Sequence, residues 1–212
     1  MTPVLALPSR LLFVACADHA PAGLPALVGR AARAGVRFIE IRRPAVPGRP
    51  ESGARLAEVK ACLAAAGDAV VLVNDRVDLA AIAGADGAHL GQDDVPCAAA
   101  RRLLGPDALV GLSTHTEEQL AAAQDEPVDY AAVGPLFPSD TKSGHAPVVG
   151  PARLSAWRRR SRLPVVAIGG ITPANVRSAL EAGADAVAVA AAVSLGDLEA
   201  NVAAFRVAMG EP

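Results

Sequence analysis

Short runs rich in Val, Ile and Leu recur along this chain, and alanine-rich stretches separate them. That alternation is the signature of βαβ units and constrains the fold more than any other feature. The runs predict eight strands, at 11–15, 36–42, 69–73, 87–90, 109–112, 130–133, 164–168 and 186–190. AVVLV (69–73) and PVVAI (164–168) lack polar alternation, which suits strands covered on both faces. Between the runs, 24–34 carries Leu24, Leu27, Val28 and Ala31 at helical spacing, and 55–66 carries Leu56, Val59 and Leu63 likewise. Thr116-Glu117-Glu118 and the segment 194–199 read as helix starts. Thr172-Pro173 reads as an N-cap followed by proline at the first helical position. Ala34-Gly35, Ala83-Gly84 and Ala182-Gly183 form a weak internal repeat, each joining a helix end to the next strand. Strands alternating with helices predict an α/β fold, a single (β/α)8 barrel over 1–212, with a doubly wound sheet as the alternative. No Pro/Gly/Ser linker divides the chain. The richest non-helical stretch, 135–150, follows the sixth strand and reads as a functional loop.

Composition excludes several functions. The 212 residues are 52% hydrophobic but only 3% aromatic, and 48 are alanine, so the apolar material is small and aliphatic. A net charge of -2 with few aromatics argues against a nucleic-acid surface, which needs basic clusters and stacking rings. No stretch approaches the roughly 20 apolar residues of a membrane span, and residues 1–10 lack the pattern of a signal peptide. Cys16, Cys62 and Cys97 fit neither a zinc pattern nor a disulfide framework, so a reducing cytosol is the expected location. The oligomeric state is left open, a homo-oligomer included.

In a barrel of this kind, chemistry sits where strands end and loops begin. Those ends are polar here: Glu40-Ile41-Arg42-Arg43, Asn74-Asp75, His89-Leu90-Gly91-Gln92-Asp93-Asp94, Ser113-Thr114-His115, Ser139-Asp140-Thr141-Lys142 and Gly169-Gly170. Asp75 and Asp94 stand at adjacent strand ends, and hard oxygen ligands on neighbouring loops suit Mg²⁺ with substrate phosphate oxygens. The plainer alternative makes Asp75 a turn residue and Asp94 the cap of a helix starting near Pro96. Arg42 and Lys142 suit a pyrophosphate, or else are surface ion-pairing groups. Gly169-Gly170 before Thr172-Pro173 offers backbone N–H groups to a phosphate, or is simple turn chemistry. Ser139 and Thr141 offer hydroxyls to the same phosphate or cap their own loop. His115 is a candidate acid or base, whereas His89 reads as a satisfied core or rim residue. Arg158-Arg159-Arg160 reads as a solvated helix face.

The strings NDRVDLA (74–80), GADGAHLGQDD (84–94), VGLSTHT (110–116), DYAAVGPLFPSDTKSG (129–144) and AIGGITPANV (167–176) stand in this order. Together they resemble the thiamine-phosphate synthase family over nearly the whole chain. The resemblance implies a (β/α)8 barrel that joins hydroxymethylpyrimidine diphosphate to thiazole phosphate and releases pyrophosphate. It implies Mg²⁺ on Asp75 and Asp94. It places the pyrimidine diphosphate on Arg42, Asn74, Ser113 and Lys142, with Arg42, Lys142 and Ser113 acting in catalysis. It places the thiazole phosphate on Ser139, Asp140, Thr141, Gly170 and the backbone at Ala190-Ala191. Glu40 and His115 complete the expected substrate contacts. The implied partners are small molecules, neither nucleic acid nor membrane.

Three positions depart from that family. Its second strand reads Gln-x-Arg-x-Lys, and here it is Glu40-Ile41-Arg42-Arg43-Pro44. Glu40 brings a negative charge close to a pyrophosphate site, and Pro44 removes a positive one. At the eighth strand Ala191 stands where the family has Ser, which costs one hydrogen bond of about 0.5–1.5 kcal/mol. These departures keep two alternatives in view: a thiazole tautomerase of the same barrel type, using His115, and a non-catalytic paralogue that binds a phosphorylated ligand.

Overall fold

The computed structural model describes residues 6–44, 52–139 and 147–211. Eight parallel strands close in sequence order, with β1 (Leu11–Cys16) pairing both β2 (Phe38–Arg42) and β8 (Ala186–Val189). Between them run β3 (Val70–Asn74), β4 (Gly87–Leu90), β5 (Leu109–Thr114), β6 (Tyr130–Val133) and β7 (Val165–Ile168). The helices are α1 (Leu24–Arg33), α2 (Ser52–Ala66), α3 (Val77–Ala83), α4 (Cys97–Leu104), α5 (Glu117–Ala123), α6 (Gly150–Arg158), α7 (Val176–Glu181), α8 (Ala191–Ser194) and α9 (Leu198–Met209). This is the (β/α)8 barrel, and the doubly wound alternative is excluded by the β1–β8 pairing. Among the described residues, no helix is long and apolar enough to cross a membrane.

Successive strand residues face opposite ways, so two apolar layers form. Leu12, Val14, Phe38, Leu72, Leu109, Tyr130, Val166, Ala186 and Ala188 pack inside the barrel. Phe13, Ile39, Val71, Val110, Ala131, Val165 and Val187 face outward and meet buried helix residues such as Leu24, Leu154 and Phe205. Buried alanines on α1, α4, α5 and α7 let those helices lie close on a narrow cylinder.

Strand ends differ from the sequence expectation in one useful place. β5 runs on to Thr114, because Ser113 and Thr114 stay paired with Ala132 and Val133 of β6. Ser113 is therefore a rigid strand residue. The Thr116 cap is as expected, its hydroxyl accepting from the Gln119 N–H. Asp197 likewise caps α9. The Thr172-Pro173 start is not: α7 begins at Val176. Instead the Asn175 side chain takes the Thr172 N–H at 2.8 Å and donates to the Gly170 carbonyl at 2.9 Å, forming a turn ahead of the helix. Of the three arginines read as a helix face, only Arg158 lies on α6, and it pairs with Asp185 rather than standing in solvent.

One device recurs at the base of the barrel. Asp86, Asp129 and Asp185 each precede an even-numbered strand, β4, β6 or β8. Each carboxylate accepts from a backbone N–H at the start of the strand before, Val71, Val110 or Val165, at 2.7, 2.7 and 2.8 Å. Asp129 also holds Arg101 at 2.6 Å. Asp129→Ala removes the acceptor of the Val110 N–H and the ion pair with Arg101 and is expected to cost about 2 kcal/mol in urea unfolding. Asp125→Ala, which removes an exposed partner of Arg162, is expected to cost less than about 0.5 kcal/mol. Equal losses would show that the base carboxylates are ordinary surface charges.

Candidate active site

The C-terminal strand ends form a mouth whose side chains follow from strand parity. Phe38, Glu40 and Arg42 alternate inward along β2, and β2's register sets Glu40 beside Val14 and Leu72. Glu40 is thereby only 4% exposed. Arg42 stands half-buried at the rim, with its guanidinium 3.9 Å from the Cys16 sulfur. Arg43 points the other way and pairs with Glu58 of α2 at 2.5 and 2.6 Å. It therefore does not stand in for the missing lysine.

Asn74 ends β3 in register with His89. The chain then turns sharply through Asp75, whose φ of 61° lies in the left-handed region, a conformation that Asp and Asn tolerate better than most. The Asp75 N–H holds the His89 carbonyl at 2.9 Å. Asp94 comes back along the loop after β4 and accepts from the Gly91 N–H at 2.6 Å. It does not cap α4, whose N-cap position is Pro96. The two carboxyls lie within hydrogen-bonding reach of each other. Burial by the surrounding protein pushes Asp75 up to about 6. The shared hydrogen bond with Asp94 and the charges of Asp94 and Glu40 push the same way, against Arg42.

Beneath this pair lies a chain of three polar groups. His89 is 5% exposed and inward-facing. Its Nδ1 is 2.8 Å from the Tyr130 hydroxyl, and its Nε2 is 2.8 Å from the Ser113 hydroxyl. The two rings stack at 5.6 Å. Burial lowers His89 to about 4, with Arg42 adding to the effect and Asp94 opposing it. The ring is thus neutral near pH 7. Gly111 makes room for this arrangement, since a Cβ there would sit 2.1 Å from the Tyr130 ring. The sequence named Ser113 as a contact and His89 as a satisfied core or rim residue, but not Tyr130 or the link among the three. The signal was parity, because 89, 111, 113 and 130 are all inward positions.

His115 stands exposed beyond β5. Its Nδ1 donates to the Gly134 carbonyl at 2.7 Å, which leaves Nε2 as the basic nitrogen. On the far side, the β6 and β7 exits zip together: Leu136 and Phe137 donate to the carbonyls of Ile168 and Gly169. A Cβ on Gly170 would lie 2.4 Å from the Pro138 carbonyl, so Gly170 abuts the backbone just before Ser139. The Thr172 N–H, one of the donors expected to face a phosphate, is consumed by Asn175. Ala190 and Ala191 open α8 at the end of β8. Asp140, Thr141 and Lys142 lie outside the described residues.

Among the described residues, no group of three His, Cys, Asp or Glu side chains could enclose a metal. A pair of facing carboxylates is nevertheless the donor set Mg²⁺ takes when substrate oxygens complete its shell. The repulsion from Asp94, which adds to burial in raising Asp75, is what such a cation would relieve, so the residues fit.

Residues 11–193 match the family profile described as thiamine monophosphate synthase. The thiamine-phosphate synthase of Anaeromyxobacter dehalogenans (strain 2CP-C) is 47% identical over 173 residues, covering 81% of this chain and 76% of that one. That of Laribacter hongkongensis (strain HLHK9) is 50% identical over 127 residues, covering 60% of each chain. The match thus spans three fifths of that relative's length. Among solved structures, a thiamine phosphate pyrophosphorylase from Pyrococcus furiosus superposes with a TM-score of 0.82 at 28% identity, covering 95% of this chain and 96% of that one. A closed parallel barrel with its polar side chains gathered at the strand ends has the layout in which (β/α)8 barrels carry their sites. The chain belongs to the thiamine monophosphate synthase family.

The carboxylate pair generates a prediction. An acid whose folded value lies near 6 rather than 3.8 binds its proton more tightly in the folded state. Its ionisation therefore opposes folding, increasingly from about pH 4 and fully above about pH 6. In EDTA, Asp75→Asn is expected to raise the Tm at pH 7.5, and the gain should shrink as pH falls toward 4. Asn tolerates the left-handed backbone, so strain does not confuse the result. A lower Tm at pH 7.5 would refute the electrostatic picture.

Proposed function

We infer that this chain is a thiamine-phosphate synthase, joining hydroxymethylpyrimidine diphosphate to thiazole phosphate and releasing pyrophosphate. The observation that carries the reading is the convergence of Arg42, the Asp75–Asp94 pair and Ser113 at one barrel mouth. A diphosphate ester needs cations on its oxygens and a place for its metal, and this mouth supplies both.

The reaction breaks the bond between the pyrimidine methylene and the diphosphate oxygen, and the electron pair leaves with the pyrophosphate. The electron-rich aminopyrimidine ring stabilises the cationic carbon. The thiazole nitrogen lone pair then forms the new C–N bond, giving a thiazolium, so no proton need be removed. The protein's tasks are leaving-group stabilisation and alignment. Arg42 grips pyrophosphate oxygens, with Asn74, Ser113 and Lys142 as further contacts. Asp75 and Asp94 would hold a Mg²⁺ ion, which would add positive charge beside the leaving group. Ser139, Asp140, Thr141, Gly170 and the Ala190–Ala191 backbone hold the thiazole phosphate. His115 lines the cleft between. Glu40 lies on the same strand face as Arg42, two residues deeper, and borders the pyrimidine diphosphate cleft from below. The three free cysteines are buried, which suits a reducing compartment, and the cytosol is the location proposed.

Purified protein given both substrates and Mg²⁺ is expected to form thiamine phosphate and pyrophosphate in equal amounts, and EDTA to stop it. Asp75→Ala and Asp94→Ala are each expected to slow turnover about 100-fold or more. Absence of pyrophosphate would reject the reading. Thiazole isomerisation that survives Asp75→Ala but not His115→Ala would replace it with a tautomerase. Stabilisation by thiazole phosphate with neither reaction would leave a binding protein.

Glu40 gives a second test. Its carboxylate shares the strand face of Arg42, and its charge adds to the rise of Asp75. Glu40→Gln is expected to lower the KM for the pyrimidine diphosphate a few-fold, as Coulomb repulsion across such a mouth would require. A higher KM would instead mark Glu40 as a contact to the ring amine.

A further inference from the structure

We propose that Tyr130, which touches no substrate, is a positioning residue: through His89 it holds the Ser113 hydroxyl proton pointing out of the barrel, as a donor to the reacting substrate. The inference rests on the reading of the mouth given above and adds to it the direction of one hydrogen bond.

The direction follows from counting donors. A neutral imidazole has one N–H and one bare nitrogen. His89 lies between two hydroxyls at 2.8 Å each, so two arrangements exist. In one, the Tyr130 O–H donates to Nδ1, the Nε2–H donates to the Ser113 oxygen, and the Ser113 proton is free to face the mouth. In the other, Ser113 donates inward to Nε2, the Nδ1–H donates to the Tyr130 oxygen, and the phenol proton must go elsewhere. Tyr130 is fully buried. His89 is the hydrogen-bond partner the structure gives its hydroxyl among the described residues. The second arrangement therefore leaves a buried O–H unsatisfied, which proteins avoid. Phe38 at 6.2 Å, edge-on to the Tyr130 ring, and the space left by Gly111 keep the phenol in place.

The same count limits what the chain can do. A proton fully passed outward would leave a tyrosinate inside the barrel. Burial, reinforced by the charges of Glu40 and Asp129, holds the Tyr130 phenol well above its ordinary range. Ser113 is thus a polarised donor, strengthened by the groups behind it, and not a source of protons. That role suits an oxygen gaining negative charge as the C–O bond breaks. No bond to hydrogen need be broken in the step.

Nitrogen-15 NMR of histidine-labelled protein reads the tautomer directly. His89 is expected to carry its proton on Nε2, with Nδ1 bare; a proton on Nδ1 overturns the proposal. This measurement needs no substrate, so it stands apart from whether the chain makes thiamine phosphate. Tyr130→Phe keeps the ring and removes the hydroxyl. It is expected to lower kcat about 10-fold, with both KM values within about 2-fold, because His89 can then draw the Ser113 proton inward. In a Ser113→Ala background the same change is expected to cost nothing further. An unchanged kcat, or a loss that simply adds to that of Ser113→Ala, would overturn the proposal.

Discussion

Closure of β1 onto β8 is the constraint from which the rest of the molecule follows. A closed parallel barrel has an inside with no solvent, and strand parity decides which residues must live there. The interior has to be filled by a few side chains, and here Phe38, Tyr130, Leu12 and Leu72 do most of the filling. Small residues on the facing strands, Gly87, Gly111, Ala132 and Ala186, make that volume available. The same parity, carried upward, aims Glu40, Arg42, Asn74, His89 and Ser113 at the mouth. Core and site are successive layers of one stack, and the polar layer rests on the aromatic one.

Much of this was legible in the residues. Aliphatic runs at regular intervals gave the strand order, and runs without polar alternation marked strands buried on both faces. Asp75, Asp94 and Ser113 stood out as candidates because chemistry in such barrels gathers at strand ends. What escaped was set by contacts between distant segments. The extension of β5 to Thr114 depends on β6 pairing. The late start of α7 depends on Asn175 bridging Gly170 and Thr172. The partnership of His89 with Tyr130 joins residues 41 positions apart. Local propensity carries no information about any of these.

The departures at the mouth have a common electrostatic sense. Glu40 replaces a neutral amide, Pro44 replaces a cation, and Arg43 is engaged with Glu58. The mouth is therefore more negative than the family pattern would make it, and Asp75 registers the change. On the function proposed above, a diphosphate substrate entering here would lean more heavily on Arg42 and on its own metal ion. With few aromatic side chains in the chain, ring stacking offers little compensation.

The carboxylates at the base point to a different property, the latitude this chain has to change. Asp86, Asp129 and Asp185 tie three strand pairs together at the end of the barrel remote from the chemistry. Their geometry repeats because each seam uses the same parts: a closing glycine or turn, an aspartate, and the first amides of a strand. With closure secured there, substitutions at the opposite rim need not undo the architecture. Glu40, Pro44 and Ala191 are changes of that kind. The barrel thus separates what must be inherited unchanged from what selection can revise.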